Sequence, residues 1–559
     1  MTTVERHGTA IAVAVFLVVA VAGILARPLL PVDETRYLAV AWEMREGGHW
    51  LVPRLNGEIY SHKPPLLFWL INLVWTFSGI SEFAGRLVGP AFGAGSIVAT
   101  AALARRLWPE DARVGGRAAL VLAGTLPFTL YAGLTMFDSM LTLATVLGMT
   151  VLARPGPRAW LWLGAALAFG AYAKGPVILI HLVPAALLSP LWTGERWRAA
   201  ALRLAKAVGV GLVIVGVWLV PALVTGGEEY SHAVLWTQSA GRMAASFAHE
   251  RAVWFFVPLL PILLWPWLWS GGLWGGLRHA SLRADRGLRL CAVWGAATLL
   301  LFSLISGKQV HYLIPALPAA ALVVARLLPA GARARAAGTV PLVLGLALVA
   351  FWLGLGPEKL HAQVSPDLGL AATGLLLVGL AVAGWWLRGP AVAVLAPAFV
   401  LLIDLAFVAG SLGGLYDARG VAAAIAPHDG EIAYVGDYEA EFSFAARLRR
   451  PVTPLPGTEA EAWLAAHPGG VLLARLDGRH PAAEPAAVFA YNARRLGLWT
   501  GSGDEGVGGV EADGDGLADG GGTEGGRVEG VEGEPLAADG NLQPDDGAVE
   551  GHVLDAPAQ

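Results

Sequence analysis

Apolar runs follow one another along most of this 559-residue chain. They fall at residues 9–30, 84–104, 117–134, 136–153, 159–173, 175–192, 205–225, 252–270, 290–306, 312–328, 338–355, 368–387 and 391–411. Most reach the roughly 18 residues that carry a helix across a hydrocarbon core, so the pattern predicts about thirteen transmembrane helices. The first run follows Arg6 and is long for a signal peptide; acids follow it, so it reads as an uncleaved span. Two polar segments interrupt the pattern, residues 31–83 and 226–251. After Gly413 the periodicity changes. GEIAYVGDY and GGVLLARLDG read as strands, and ARGVAAAIA, YEAEFSFAARL and TEAEAWLAAH as helices. The expected fold is therefore an all-α polytopic membrane body over 1–411 with a small α/β domain over 412–500. Residues 501–559 are mostly Gly, Asp and Glu, too poor in apolar side chains to form a core, and are expected to be a disordered acidic tail. Asp513, Asp515 and Asp519 belong to that low-complexity composition rather than to a calcium loop.

Composition sharpens this picture. The chain is 55% hydrophobic and only 15% charged, against about a quarter charged in an ordinary soluble protein. One cysteine, Cys291, excludes an internal disulfide and a multi-cysteine metal site. The net charge of −4 hides two opposed parts. From Asp504 on there are 15 acids and one base, which leaves 38 bases against 28 acids in the remainder. The bases are densest in short loops that hold Arg105, Arg106, Arg154, Arg158, Arg196, Arg198, Arg283, Arg333, Arg335 and Arg388. The positive-inside rule puts those loops in the cytoplasm. Residues 31–83, the 226–251 loop, the turns at Lys174 and Lys308–Tyr312, and everything after about 411 are then extracytoplasmic.

The segment PVDETRYLAVAWEMREGGHWLVPRLNGEIYSHKPPLLFW gathers more charge and aromatic character than any other part of the membrane body. Asp33 and Glu34 stand where the first span emerges, at the start of a helical stretch with Tyr37, Ala41 and Met44 on one face. Asp33 reads either as a helix cap or as a base for an incoming hydroxyl or amine. Lys63 reads either as a lysine snorkelling at the membrane surface or as a point charge for a phosphate. Asp138 interrupts apolar sequence, and acids at membrane depth usually mark sites. Lys174, Lys308, Arg242, His249, Glu250 and Arg251 fall at outer span ends as well. Their convergence on one membrane face is more informative than any of them alone. His62 and His249 could share a divalent metal such as zinc with a nearby carboxylate, although two histidines on distant loops are a thin signal. No Gly-rich phosphate loop follows a strand, which argues against a nucleotide-linked donor.

The first loop resembles that of the bacterial membrane glycosyltransferases related to protein O-mannosyltransferases, and most of all the 4-amino-4-deoxy-L-arabinose transferases of lipid A. The likeness rests on Asp33-Glu34, Arg36-Tyr37, Glu43-Met44, Gly48, Trp50, Pro53, Asn56-Gly57, Tyr60, Lys63-Pro64-Pro65-Leu66 and Trp69, with AKGP, FAHERAVWFF and SGKQVHYLIPALP further on. It implies a C-type glycosyltransferase fold and a sugar donor linked to polyprenyl phosphate. It implies Asp33 as base, with Asp138 as a second catalytic acid. Arg36, Lys63, Arg242, Lys308 and Tyr312 become candidates for holding the lipid phosphate, and Glu34, Tyr60 and Lys174 further site candidates. His249 matches a position associated with metal, whereas His62 departs from the Glu usual before the lysine. The expected acceptor is a lipid, glycan or protein, and nucleic acid is not an expected partner.

The expected reaction is a single inverting displacement at the anomeric carbon, at the outer face of the cytoplasmic membrane. The rival class is a transporter or lipid flippase. Such proteins often carry paired internal repeats and charges near the bilayer midplane, whereas here repeats are not evident and the charges gather at one interface. Orientation is directly testable. With Cys291→Ala as background, single cysteines at Ser61 and Arg283 should react differently with an impermeant thiol reagent on intact cells. Position 61 should label and position 283 should not, and the reverse result would invert the topology.

Overall fold

The computed structural model describes residues 3–236, 251–361 and 363–501. Arg242, His249 and, beyond Gly501, the expected acidic tail lie outside the described residues. Among the described residues, seven helices are long and apolar enough to cross a membrane: His7–Ala26, Glu82–Leu107, Trp197–Trp236, Arg286–Leu304, Val310–Leu327, Arg335–Trp352 and Gly389–Ala409. Five shorter apolar helices accompany them, among them Phe137–Ala153 and Val177–Leu188. The chain thus forms a multi-pass helical body, with seven helices of spanning length among the described residues where the apolar runs predict about thirteen.

The first helices are α1 (Thr3–Ala26), α2 (Asp33–Gly47), α3 (Leu66–Ser78), α4 (Glu82–Arg86), α5 (Val88–Leu107), α6 (Val114–Ala123) and α7 (Leu126–Tyr131). They are followed by α8 (Phe137–Ala153), α9 (Ala159–Lys174), α10 (Val177–Leu188), α11 (Pro190–Thr193) and α12 (Trp197–His232). Two expected spans are broken. The run 117–134 divides into α6 and α7 at Gly124-Thr125, with Pro127 opening the second piece. The run 252–270 holds only Leu260–Leu263 and the 3-10 turn Trp267–Trp269. Pro258, Pro261 and Pro266 account for this, because each removes a backbone donor and fixes φ.

The loop between α1 and α5 is itself a folded layer. Gly48 takes the left-handed conformation (φ 68) that ends α2. A hairpin follows, β1 (Arg54–Leu55) and β2 (Glu58–Ile59). Its two turn residues, Asn56 (φ 55) and Gly57 (φ 82), both have positive φ, the geometry that Asn-Gly favours. Glu43 of α2 locks the turn by accepting the Gly57 N–H at 2.9 Å. A Cβ at Gly57 would stand 2.9 Å from Pro451 Cγ, so glycine is required there for the approach as well as for φ.

That approach comes from the C-terminal end. Strands β3 (Ile432–Val435), β4 (Thr453–Leu455), β5 (Val471–Arg475), β6 (Ala487–Tyr491) and β7 (Arg494–Thr500) form a mixed sheet in the order β4-β3-β5-β7-β6. β3 runs parallel to β4 and β5, and β7 antiparallel to β5 and β6. One apolar cluster runs from Tyr37, Trp42, Phe68 and Trp75 of the first loop into Phe442, Phe444, Leu473 and Leu498 of this layer. Trp75 stacks on Phe444, with ring centroids 5.4 Å apart and 2° between planes. Trp42 donates to the Leu448 carbonyl at 2.8 Å. Asn56 donates to the Val452 carbonyl at 2.8 Å and accepts the Val452 N–H at 2.7 Å, as an added strand would.

The helix expected over YEAEFSFAARL is not formed. Residues 438–448 are a chain of turns with Ala440 (φ 60) and Arg447 (φ 54) in the left-handed region. The reason is tertiary: Tyr438, Phe442 and Phe444 are all buried, on the surfaces of the sheet and the first loop, which one helix face could not satisfy. β4, β6 and β7 were not foreseen either. β6 and β7 join through Asn492 and Ala493, both at positive φ but without the glycine that signals such a turn.

Asn56→Ala removes two hydrogen bonds and leaves both polar groups of Val452 without their partner. The expected cost is about 2 kcal/mol. Thermal unfolding should fall accordingly, and amide exchange at Val452 should accelerate. Unchanged exchange there would show that Asn56 does not hold the C-terminal layer to the loop.

Candidate active site

Glu34 and Arg86 set the geometry of the site. Both are almost fully buried. Arg86 meets Glu34 at 3.3 Å and Glu82 at 3.0 Å, and donates to the carbonyls of Ile24 and Arg27 at 3.2 and 2.8 Å. It thereby satisfies carbonyls at the C-terminal end of α1 that have no helical partner. Glu34 also accepts the N–H groups of Leu30 at 3.3 Å and Thr135 at 3.0 Å. The carboxylate expected as a site candidate is thus fully engaged in joining the end of α1, the start of α2 and the segment before α8.

Asp33 next to it is not the helix cap. The N-cap position is Val32, with no side-chain capping bond, and Asp33 is the first helical residue. Its Oδ1 accepts the Tyr37 hydroxyl at 2.8 Å. Burial, and next the charge of Asp33, push the Tyr37 phenol well above its ordinary range, so it stays a proton donor. The Tyr37 ring meets Phe137 edge-on at 4.8 Å, and Phe68 packs against both rings. Phe137 immediately precedes Asp138, so this aromatic layer ties the Asp33 end of α2 to the start of α8.

Asp138 is buried and accepts the Lys174 ammonium at 2.7 Å. Lys174 also lies 5.2 Å from the centre of the Tyr312 ring. A cavity of about 280 Å³ opens beside this pair, lined by His62, Lys63, Asp138, Lys174, Tyr312 and the aromatic Trp218. These come from the first loop, α8, the end of α9, α12 and the 3-10 helix Val310–Ala316. A second cavity of about 410 Å³ is lined by Asp33, Glu34, Arg251, Lys308 and His311. The two lie side by side along the chain: Met136 and His311 line one, Asp138 and Tyr312 the other. Lys308 donates to the carbonyls of Arg251 (2.8 Å) and Ser306 (3.4 Å), and so pins the Arg251 segment at the cavity edge.

Arg36 and Tyr60 stand on the other side of Asp33. Arg36 pairs at 2.8 Å with Glu439, a residue of the C-terminal layer. Burial pushes the Tyr60 phenol up, against the opposing pull of the Arg36 guanidinium. The Tyr60 and His62 rings are 5.3 Å apart. Among the described residues no three His, Cys, Asp or Glu side chains form a group able to hold a metal. His249 falls outside them, and Asp138, the acid that shares a cavity with His62, is bonded to Lys174. The described residues do not assemble the metal site suggested by His62.

Sequence reasoning brought together Asp33, Lys63, Asp138, Lys174, Lys308 and Tyr312, and the structure gathers all six around the two cavities. It missed Arg86, His311 and Glu439. Arg86 carried a signal, being a base inside an apolar run. Glu439 carried none, because its partner is about 400 residues away.

The family described as dolichyl-phosphate-mannose-protein mannosyltransferase matches residues 62–221. The undecaprenyl phosphate-α-4-amino-4-deoxy-L-arabinose arabinosyl transferase 2 of Sodalis glossinidius is 32% identical over 393 residues, covering 66% of this chain and 69% of that protein. The corresponding transferase of Pseudomonas paraeruginosa is 32% identical over 333 residues, covering 57% of this chain; this chain spans 60% of its length. The crystal structure of ArnT from Cupriavidus metallidurans bound to undecaprenyl phosphate superposes with a TM-score of 0.70 at 20% identity, covering 88% of this chain and 97% of that one. This last likeness is one of fold.

The Asp138–Lys174 pair makes a quantitative prediction. Removing one partner leaves a buried charge uncompensated, a loss of about 3–5 kcal/mol. Asp138→Asn and Lys174→Met should each lower thermal stability strongly, while the double variant recovers much of the loss. A double-mutant cycle measures this coupling. Additive single effects would mean that the two charges are independently solvated.

Proposed function

The chain belongs to the family of undecaprenyl phosphate-α-4-amino-4-deoxy-L-arabinose arabinosyl transferases, and on that premise we propose that it transfers a sugar from a polyprenyl-phosphate carrier to an acceptor at the outer face of the cytoplasmic membrane. The observation that carries the reading is the cavity beside α8: two lysines, Lys63 and Lys174, against one carboxylate, Asp138. Among the described residues that line it, Lys63 and Lys174 offer ammonium donors to phosphate oxygens, and the remaining lining is largely apolar, which suits a lipid-linked sugar.

In this reading the carrier phosphate lies against Lys63, with Lys174 held in place by Asp138. Asp138 therefore acts as a positioning residue. Asp33 faces the adjoining cavity and takes the proton of the acceptor hydroxyl as that oxygen attacks the anomeric carbon. The bond from the anomeric carbon to the phosphate oxygen breaks, and its electron pair leaves with the carrier phosphate. One displacement inverts the anomeric configuration. Fixed cations that meet the departing phosphate in a water-poor cleft contribute most of the barrier lowering.

The other candidates take supporting roles. Glu34 is committed to Arg86 and two backbone N–H groups, so it locates Asp33 instead of acting as a base. Lys308 lines the cavity that Asp33 faces, and Tyr312 lines the one beside Asp138. Arg36 can meet phosphate only in competition with Glu439. Arg242 remains a candidate from the sequence alone.

Asp33→Asn keeps the shape and the Tyr37 contact but removes the base. Turnover should vanish while labelled polyprenyl phosphate still binds. Lys63→Ala should instead weaken that binding by roughly 30- to 1000-fold, the equivalent of about 2–4 kcal/mol for losing a partner of a charged group. Near-normal turnover in Asp33→Asn would remove Asp33 from the chemistry. Normal lipid binding by Lys63→Ala would move the phosphate site elsewhere.

A further inference from the structure

At the membrane face opposite the site, two loops meet. One follows the helix Leu317–Leu327 and the other follows Leu368–Gly384. Arg333 and Arg388 form an isolated antiparallel bridge there. The Gly389 N–H donates to the Ala332 carbonyl at 2.7 Å, and the Ser270 hydroxyl to the Arg333 carbonyl at 3.1 Å, so the backbone that presents the pair is fixed. Arg335 follows two residues on.

Directly opposed residues on such a bridge carry their side chains on one face, where like charges repel. Arg388, and after burial Arg335, hold the Arg333 guanidinium below its ordinary range. Other arginines at this face have acids: Arg117 pairs with Asp111, Arg203 with Glu195, and Arg326 with Asp285 at 3.0 Å. Among the described residues, none of Arg333, Arg335 and Arg388 has an ion pair. The fold thus holds three cations together with nothing in the described chain to neutralise them. Two large indoles, Trp385 and Trp386, stand next to Arg388 and are 58% and 79% exposed. Exposed indoles beside basic side chains fit the boundary between headgroups and acyl chains.

We infer that Arg333, Arg335 and Arg388 form a binding site for the phosphate headgroup of an anionic membrane phospholipid, with Trp385 and Trp386 lying among its acyl chains. The guanidinium forks match phosphate oxygens, and the bound charge removes the repulsion built into the bridge. The site is separate from the proposed reaction, since the helix Leu317–Leu327 lies between it and Tyr312.

The test is native mass spectrometry of the purified full chain titrated with cardiolipin, phosphatidylglycerol and phosphatidylcholine. The double variant Arg333→Gln/Arg388→Gln should lose affinity for the two anionic lipids by about 30-fold, as expected from two basic residues near a lipid surface. Weak binding of phosphatidylcholine should not change. Arg283→Gln, another exposed arginine of this face, should retain anionic lipid. In phosphatidylcholine nanodiscs the double variant should melt no lower than the parent, because the repulsion is gone. Equal anionic adducts in parent and double variant would overturn the proposal, as would an equal loss in Arg283→Gln, which would indicate diffuse surface charge. A lower melting point of the double variant in neutral lipid would make the arginines structural. Stabilisation of the parent by inorganic phosphate as large as that by anionic lipid, and lost in the double variant, would assign the site to a free anion.

Discussion

A buried carboxylate cannot stay charged in a membrane body without a partner, and Glu34 meets that demand through Arg86. The pair does more than neutralise itself. Arg86 closes the end of α1, and Glu34 gathers the backbone N–H groups of Leu30 and Thr135. Three segments that are distant in sequence are therefore indexed to one ion pair. Asp33 is one residue away on one of them, and Asp138 three residues beyond Thr135 on another. The separation of these two acids follows from that contact, and the Tyr37–Phe68–Phe137 layer then holds the angle between α2 and α8.

The C-terminal layer belongs to the same construction. Trp42 and Trp75 of the first loop are covered by buried side chains of residues 438–452. The pairing of Asn56 with Val452 and of Arg36 with Glu439 adds direction to that apolar contact. What reads in sequence as a small α/β domain shares one apolar cluster with the first loop and keeps a second of its own.

The legible parts of the chain are those whose physics is local. Long apolar runs declare helices because a lipid-facing backbone has no alternative. The Asn56-Gly57 turn carries a local signal too, since two consecutive positive-φ positions select those residues, but the pair entered the sequence reading only as part of a family pattern. The gathering of Asp138, Lys174 and Lys308 beside the cavities was readable because charges are costly beside lipid, so they stand out against their surroundings. The turn-rich stretch 438–448 was not, since its aromatic spacing fits a helix and only the surfaces it covers decide otherwise. The Asp33 contact was half legible: its place at the head of α2 was clear, but its bond to Tyr37 rather than to the helix end depends on a ring that Phe137 fixes. Glu439 shows the limit, being one acid among several in an exposed-looking segment.

The clasp between Asn56 and Val452 also fixes an order of assembly. About 400 residues separate the two halves of this core. Synthesis runs from the N-terminus, so the first loop emerges early and then waits while the rest of the membrane body is inserted. During that interval Trp42 and Trp75 lack their cover and the Asn56 amide lacks its strand. The segment that completes the loop is among the last of the described residues to be made. The apolar core shared by the first loop and the C-terminal layer is therefore completed only once Phe444 and Val452 have been made, and a product that stops short of them leaves Trp42 and Trp75 without their cover.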